Sequence, residues 1–259
     1  MPILLLPPRI TDDSVRLWRA AVHCNWQTLR LGEWKAPADL DPHEIAVYGG
    51  YFIALAKELG VSLLVPPVNW LARLPQDLTR REIRCTTLRE ARGFTDRAFY
   101  KPADDKCFLA RVYENGSALP GASELPDDVP VIVSEVVEWG VEFRCFVLDG
   151  EIVAVSPYLR NGKRVETDDG DFPAAPEEFR SAERFASEVI ASSRAYLPPG
   201  VAIYVGYING EGWAVIEANQ AWGAGIYGCD PLRVLPVLRR VCVASDSIVE
   251  DDKRWVAAC

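Results

Sequence analysis

Apolar and polar positions alternate in short blocks over the first quarter of the chain. Three apolar runs end at paired prolines or glycines and predict short buried strands. They are Ile3–Leu6, Ile45–Tyr48 and Val61–Val65. Thr11 or Asp12 precedes apolar positions at helical spacing, which predicts a capped helix that reaches His23. Strands that alternate with a helix favour a small α/β unit over residues 1–72.

Alternation with a period of two dominates the rest of the chain and predicts antiparallel strands. The predicted strands are Ala98–Lys101, Cys107–Tyr113, Val129–Val137, Glu142–Leu148, Glu151–Tyr158, Val201–Ile208 and Gly212–Ala218. Asp149-Gly150 and Asn209-Gly210 are typical hairpin turns between neighbouring members of this set. In the second hairpin, Tyr204 is expected to lie diagonal to Glu217 on one face.

Helical spacing returns in two later segments, Glu177–Leu197 and Pro231–Val243. The arginine-rich stretch Leu71–Arg92 is expected to be helical at its end. The acidic stretch Asn161–Pro176 contains glycine and proline, which predicts a mobile loop and a candidate lid.

The composition is typical of a globular protein, with 49% apolar and 25% charged residues among 259. The formal net charge of −9 argues against nonspecific nucleic-acid binding. No apolar run approaches the roughly 20 residues of a membrane span, and the start of the chain lacks the basic region of a signal peptide. Seven single cysteines favour reduced thiols in a cytoplasmic protein over a disulfide framework or a zinc site.

The segment Trp213–Gly228 carries the clearest candidate chemistry. It begins as a β-branched strand and ends as a glycine-rich loop before Asp230-Pro231, a typical helix start. Glu217 and Asn219 are two residues apart, so their side chains are expected to project from the same face of the strand. A carboxylate and an amide oxygen on a rigid strand suit Mg²⁺, which completes its shell with phosphate and water.

Cationic side chains on other predicted strands supply the complementary half of a nucleotide site. Lys101 stands at a strand end and Lys106 on the turn that follows, while Glu142 and Arg144 share a face of the central hairpin. Lysine and arginine bind phosphate oxygens, and Mg²⁺ bridges phosphates to acidic side chains. Together these residues predict a nucleoside triphosphate site assembled from several strands.

Two other interpretations of these residues are open. Gly223–Gly228 also matches the G-x-G-x-x-G motif of dinucleotide-binding folds, but the segment after it is too short for the rest of a doubly wound sheet. In the second interpretation these residues have no role in binding. Lys101 would be a surface lysine at a strand end, and Glu142 with Arg144 would form an exposed ion pair that contributes about 0–1 kcal/mol to stability.

Between residues 66 and 233 the order and spelling of several stretches resemble the ATP-grasp superfamily. The matching stretches are Asn69–Pro75, Tyr100–Pro102 with Lys106, Ser134–Val137, Glu142–Gly150 and Val215–Gly228. The resemblance is closest to the compact, stand-alone clade named for two arginines and a lysine. It implies an α+β fold in which an N-terminal α/β unit, residues 1–72, precedes an ATP-grasp domain, residues 73–259. Two subdomains, about 73–136 and 137–259, would clamp ATP between them.

The resemblance also implies an activity and a role for each matching residue. Most members are ADP-forming ligases that join a carboxylate, here of a small molecule or a peptide, to an amine acceptor through an acyl phosphate. The implied cofactors are ATP and Mg²⁺. Lys101 would contact the phosphates, Arg144 would stabilise the transferring phosphoryl group, and Glu217 with Asn219 would hold Mg²⁺. Adenine would contact the backbone of three consecutive residues, Glu135, Val136 and Val137.

One position departs from the superfamily pattern. Thirteen residues before Glu217, where the superfamily usually has a metal-binding aspartate, this chain has Tyr204. The metal site is therefore reduced, or another acid completes it, or catalysis is impaired. The alternative to a ligase is a catalytically reduced ATP-binding module that senses ATP or serves as a scaffold for a partner.

Overall fold

The computed structural model describes residues 1–103 and 106–257. Its first unit consists of β1 (Ile3–Leu6), α1 (Asp12–His23), β2 (Gln27–Arg30), β3 (Ile45–Val47) and β4 (Val61–Leu63). The fully buried β1 is the centre of a parallel sheet with the strand order β2-β1-β3. Helix α1 begins at a capping box in which Thr11 and Ser14 exchange hydrogen bonds between side chain and backbone.

The second unit is a four-stranded antiparallel sheet with short helices at its edge. It consists of α2 (Gln76–Thr79), β5 (Ile83–Thr87), α3 (Leu88–Ala91), β6 (Ala98–Pro102), β7 (Arg111–Tyr113) and β8 (Pro130–Ser134), in the strand order β5-β8-β6-β7. The sequence pattern missed β5. This strand lies at the edge of the sheet and has no fully buried residue, so its composition is as polar as that of a surface helix.

The third unit is built on the largest sheet. It consists of β9 (Trp139–Leu148), β10 (Glu151–Arg160), β11 (Lys163–Arg164), α4 (Pro176–Ser193), β12 (Gly200–Ile208), β13 (Gly212–Asn219) and α5 (Pro231–Arg240). The strand order is β11-β10-β9-β12-β13, and every pair is antiparallel. Asp149 and Gly150, at φ of 49° and 88°, form the predicted turn between β9 and β10.

The two faces of this sheet are covered by different parts of the chain. Helix α4 packs on one face, where Phe143, Cys145 and Val205 belong to a common apolar core. The opposite face contributes Phe146 and Ala202 to a core shared with α5 and the N-terminal strands. Since β9 and β12 lie in the interior of the sheet, side chains on this second face are held between the sheet and the N-terminal unit.

The end of the described chain returns to the N-terminal unit. Strand β14 (Cys242–Ala244) pairs antiparallel with β4, and helix α6 (Glu250–Lys253) follows it. The first unit and the rest of the chain therefore share hydrogen bonds as well as a core, and the division of the chain at residue 72 stays a prediction. Among the described residues, none of the helices combines the length and the apolar character that crossing a membrane requires.

A buried carboxylate attaches this returning segment to α5. Asp252 accepts hydrogen bonds from Arg240, with Nη1 to Oδ2 at 2.7 Å and Nη2 to Oδ1 at 3.1 Å. Asp252 is 5% exposed, whereas a third of the Arg240 side chain is exposed to solvent. Replacing Asp252 with alanine should therefore lower the free energy of unfolding by about 2 kcal/mol, less than for a fully buried pair.

Urea unfolding of Asp252→Ala measures this change. The matched control is Glu250→Ala on the same helix, because Glu250 is exposed and its ion pair with Lys253 lies at the surface. This control should cost no more than about 0.5 kcal/mol. Equal losses in the two variants would contradict a specific role for the Asp252 pair.

Candidate active site

A cleft of about 380 Å³ lies between the four-stranded and the five-stranded sheets. Its lining comes mainly from β6, β7 and β8 on one side and from β9, β10 and β13 on the other. The lining side chains with candidate chemistry are Arg81, Lys101, Glu135, Trp139, Glu142, Tyr158 and Glu217. This volume falls in the range of small-molecule sites. Most of the residues singled out in the sequence therefore meet at one place.

Lys101 and Glu217 join the two sides of the cleft. The Lys101 ammonium hydrogen-bonds to Oε2 of Glu217, and the Asn219 amide donates to Oε1 at 2.7 Å. Burial raises the pKa of Glu217, but the Lys101 charge and the two hydrogen bonds outweigh it, so the pKa lies below the ordinary value. Glu217 is therefore ionised at neutral pH and available to a cation. Asn219 lines a smaller adjoining cavity together with Lys101 and Glu217.

Glu142 lies deeper in the cleft and is held by a residue that sequence reasoning missed. Tyr158 donates a hydrogen bond of 2.6 Å to Oε2 of Glu142, and both side chains are buried. Burial raises the pKa of Glu142, the Tyr158 hydrogen bond lowers it, and the Glu217 charge raises it, with a net increase. The only signal for Tyr158 in the sequence is its place at the end of a predicted strand.

Arg144 lies two residues after Glu142 on β9, in a cage of tyrosine rings. Its guanidinium carbon is 4.1 Å from the ring centre of Tyr204 and 4.3 Å from that of Tyr227. Nη1 donates to the carbonyl of Gly225, while the buried Nε has no hydrogen-bond partner within the described part of the chain. Arg144 is therefore a buried cation held by rings and a carbonyl, with donor capacity left for an anion.

The glycine-rich loop passes between Arg144 and the N-terminal unit. Oδ2 of Asp13 in α1 accepts hydrogen bonds from the Ile226 backbone N–H at 2.9 Å and from the Tyr48 hydroxyl at 3.1 Å. A Cβ at Gly225 would lie 3.0 Å from Asp13 and 3.1 Å from Arg144, which explains a glycine there. Sequence reasoning missed Asp13 because its partners are far away along the chain.

The expectation that Tyr204 lies diagonal to Glu217 is wrong. The two residues pair directly, because a register shift follows between Tyr204 and Val205. Burial raises the pKa of Tyr204, the Arg144 charge lowers it and the Glu217 charge raises it, with a net increase. Tyr204 is thus a neutral phenol whose ring packs on Arg144, in register with both charged residues.

Two other predicted site positions lie at the margin of the cleft. Lys106 is exposed in the connection between β6 and β7, outside the cleft lining. Glu135, Val136 and Val137 line the cleft directly after β8. Glu135 is fixed to the start of β5 because its carboxylate accepts from the Glu82 backbone N–H at 2.7 Å. Adenine contacts with this backbone stay a prediction.

Comparison with known families identifies the fold. Residues 78–237 match the ATP-grasp domain of the clade named for two arginines and a lysine, in its second family. The chain belongs to this family. The resemblance and the α+β ATP-grasp fold expected from the sequence are thereby confirmed, and the dinucleotide-binding interpretation is set aside. Family membership supports ATP binding and the expected enzyme class, an ATP-grasp ligase.

Solved structures show the same fold over most of this ATP-grasp protein. D-cycloserine synthetase DcsG has a TM-score of 0.55 at 16% identity, over 92% of this chain and 98% of that chain. A RimK domain ATP-grasp protein from Sphaerobacter thermophilus has 0.53 at 14%, with the same coverage. L-amino acid ligase from Bacillus licheniformis has 0.53 at 11%, over 96% and 76%. At these identities the likeness shows the fold alone. A comparison with curated proteins gives no match.

The raised pKa of Glu142 in the ATP-grasp cleft gives a pH-dependent prediction. In the unfolded chain this carboxylate is ionised at pH 7, whereas in the folded chain burial penalises its ionised form. Glu142→Gln should therefore raise the free energy of unfolding at pH 7. The gain should shrink as the pH falls through the raised pKa, and vanish below the ordinary glutamate pKa, where both chains are protonated.

Urea unfolding between about pH 4 and pH 8 measures this dependence. Glu151→Gln replaces an exposed carboxylate of the neighbouring strand and serves as the control, with little expected change. A loss of stability in Glu142→Gln at pH 7 would show that the charge of Glu142 is favoured by its surroundings.

Proposed function

We propose that this protein is an ATP-dependent, ADP-forming carboxylate–amine ligase that acts through an acyl phosphate. The observation that supports this proposal most directly lies in the cleft of an ATP-grasp domain. There Lys101 hydrogen-bonds across the cleft to Glu217, which also accepts a hydrogen bond from Asn219. Two proteins with the same fold, D-cycloserine synthetase and L-amino acid ligase, support a ligase of this kind. The substrates would be a small-molecule or peptide carboxylate and an amine.

The bond changes of this reaction are those of two successive transfers. A carboxylate oxygen attacks the γ-phosphorus of ATP, the bond to the β-phosphate oxygen breaks, and ADP leaves. The amine then attacks the acyl carbon, loses a proton and displaces inorganic phosphate to give the amide. Arg144, with an unpaired buried Nε among the described residues, would neutralise charge on the transferring phosphoryl group and the acyl phosphate.

The proposed nucleotide contacts follow from the positions of the cleft residues. Lys101 would leave Glu217 and bind phosphate oxygens, while the backbone of Glu135–Val137 would contact adenine where the chain leaves β8. Glu142 would lie beside the triphosphate. Lys106, which is exposed and lies outside the cleft lining, would also bind the phosphates.

The donor set of the cleft fits Mg²⁺ that is shared with phosphate. Among the described residues, no group of three or more His, Cys, Asp or Glu side chains could hold a metal ion by themselves. Glu217 and Asn219 supply a carboxylate and an amide oxygen, the few protein ligands that Mg²⁺ uses when phosphates complete its shell. When bound, the ion would neutralise the phosphate charge that develops during transfer.

Release of ADP in the presence of paired acids and amines tests the proposal. We expect ADP only when a carboxylate, an amine and Mg²⁺ are all present, with an amide product identified by its mass. Glu217→Gln should lower turnover at least about 100-fold, since it removes the carboxylate of the metal site. Tyr204→Phe keeps the ring on Arg144 and should change turnover no more than about threefold.

The second candidate function is an ATP-binding module without ligase activity. The neutral Tyr204 at the usual position of a metal-binding aspartate favours it. Thermal stabilisation by ATP with no ADP release for any acid and amine pair would support this candidate and contradict the ligase. Normal turnover of Glu217→Gln at low Mg²⁺ would remove the metal assignment.

Substitution of Arg144 distinguishes a role in phosphoryl transfer from a role in ATP binding. Arg144→Ala should lower kcat about 100- to 1000-fold, because the proposed interaction is with charge that develops in the transition state. The Kd of ATP should change by less than about threefold, since that charge is absent from bound ATP. Calorimetry and steady-state kinetics measure the two quantities. Equal losses in both would make Arg144 a clamp for the ground-state phosphates.

A further inference from the structure

Strand β13 contains one residue more than the matching part of β12. Tyr204 pairs with Glu217, and the next residue of β12, Val205, pairs with Val215. Ile216 is therefore the extra residue of a β-bulge. The bulge directly precedes Glu217, the residue on which the proposed metal site depends.

The bulge decides which face of the sheet Glu217 and Asn219 occupy. Val215 belongs to the core on the α4 side, and Ala218 packs against that same core three residues later. In a regular strand the side chains two and four residues after Val215 would share its face. The extra residue reverses this alternation, so both side chains leave the α4 core: Glu217 faces the cleft and Asn219 faces the cavity that adjoins it.

Arg81 contacts the bulge from outside the sheet. Its Nη1 donates to the Val215 carbonyl at 2.7 Å, and Nη2 donates to the Ile216 carbonyl at 3.3 Å. Consecutive carbonyls of a regular strand point in opposite directions, and one guanidinium reaches both only where the strand is bulged. β13 is an edge strand, so in the described part of the chain no strand of its sheet lies on its outer side.

The surroundings of Arg81 show a residue built into this position. Arg81 is 6% exposed, and burial lowers its pKa to about 10, so it remains a cation at neutral pH. Its guanidinium lies 5.1 Å from the ring centre of Trp139, and Nη1 also donates to the Thr79 carbonyl at 2.9 Å. A buried cation is costly, and here carbonyl groups and a ring offset that cost.

We propose that Arg81 is a positioning residue that holds the bulge at Ile216 and thereby turns Glu217 into the cleft and Asn219 into the adjoining cavity. Although Arg81 lines the cleft, its guanidinium donates to backbone carbonyls, so it acts through the backbone of β13 and would not itself contact ATP. The consequence for catalysis rests on the proposed function, whereas the control of the strand register does not.

Arg81→Met and Arg80→Met form a matched pair for the test. Arg80 is exposed and donates from Nε to the Trp213 carbonyl at 2.9 Å, on the same strand but before the bulge. In the nucleotide-free protein, Arg81→Met should accelerate amide hydrogen exchange of Glu217 and Ala218 about tenfold or more. Arg80→Met should change it less than about twofold. Unchanged exchange in Arg81→Met would overturn the proposal.

Nucleotide affinity with and without Mg²⁺ distinguishes positioning from direct contact. Arg81→Met should lose about tenfold or more of the gain in ATP affinity that Mg²⁺ provides, with the Mg²⁺-free Kd within about twofold of wild type. Combining it with Glu217→Gln should cause no further loss. A Mg²⁺-free affinity that falls as far as the Mg²⁺-dependent one would make Arg81 a phosphate ligand and overturn the proposal.

Two further outcomes also decide the role of Arg81. If Arg81→Met does not fold, Arg81→Lys replaces it. The lysine ammonium keeps the charge but cannot span two carbonyls as the planar guanidinium does. We therefore expect Arg81→Lys to lose less of the Mg²⁺-dependent gain in ATP affinity than Arg81→Met would. If wild-type protein binds no ATP, the proposed function fails, and the exchange rates of Glu217 and Ala218 alone decide the role of Arg81.

Discussion

The ion pair between Lys101 and Glu217 determines how the two sheets of the ATP-grasp domain meet. Both side chains are mostly buried, at 18% and 26% exposure, and each charge would be expensive to bury without the other. Asn219 satisfies the second oxygen of Glu217. These groups are also the proposed ligands of nucleotide and metal. Binding would therefore exchange one set of charge partners for another, and neither Lys101 nor Glu217 would be left unpaired.

Arg144 differs from Lys101 in that aromatic rings, and not a carboxylate, surround its charge. Tyr204 pairs in register with Arg144 on one side and with Glu217 on the other. A carboxylate at position 204 would lie beside Arg144 and neutralise part of its charge, whereas the phenol ring supports the guanidinium through its face. A phenol at this position therefore leaves the positive charge of Arg144 without a carboxylate partner on this side.

The sequence pattern predicted the local features of this site better than the long-range ones. The hairpins at Asp149-Gly150 and Asn209-Gly210 were predictable, because period-two alternation and turn residues are encoded within about 20 residues. The bulge at Ile216 was not, since which face a side chain occupies depends on the packing of α4 and on Arg81. The roles of Asp13 and Tyr158 were also not predicted, because their hydrogen-bond partners become neighbours only in the folded chain. The roles of the site residues stay predictions.

The pairing of β14 with β4 has a consequence for biosynthesis. The two antiparallel sheets of the ATP-grasp domain are translated between these strands, so in the nascent chain the edge of β4 stays unpaired until α5 and then β14 have been synthesised. Exposed strand edges recruit other chains, and slow elongation or truncation would prolong that exposure. The N-terminal unit of a nascent chain therefore presents an open strand edge, although in the finished protein its β1 is fully buried.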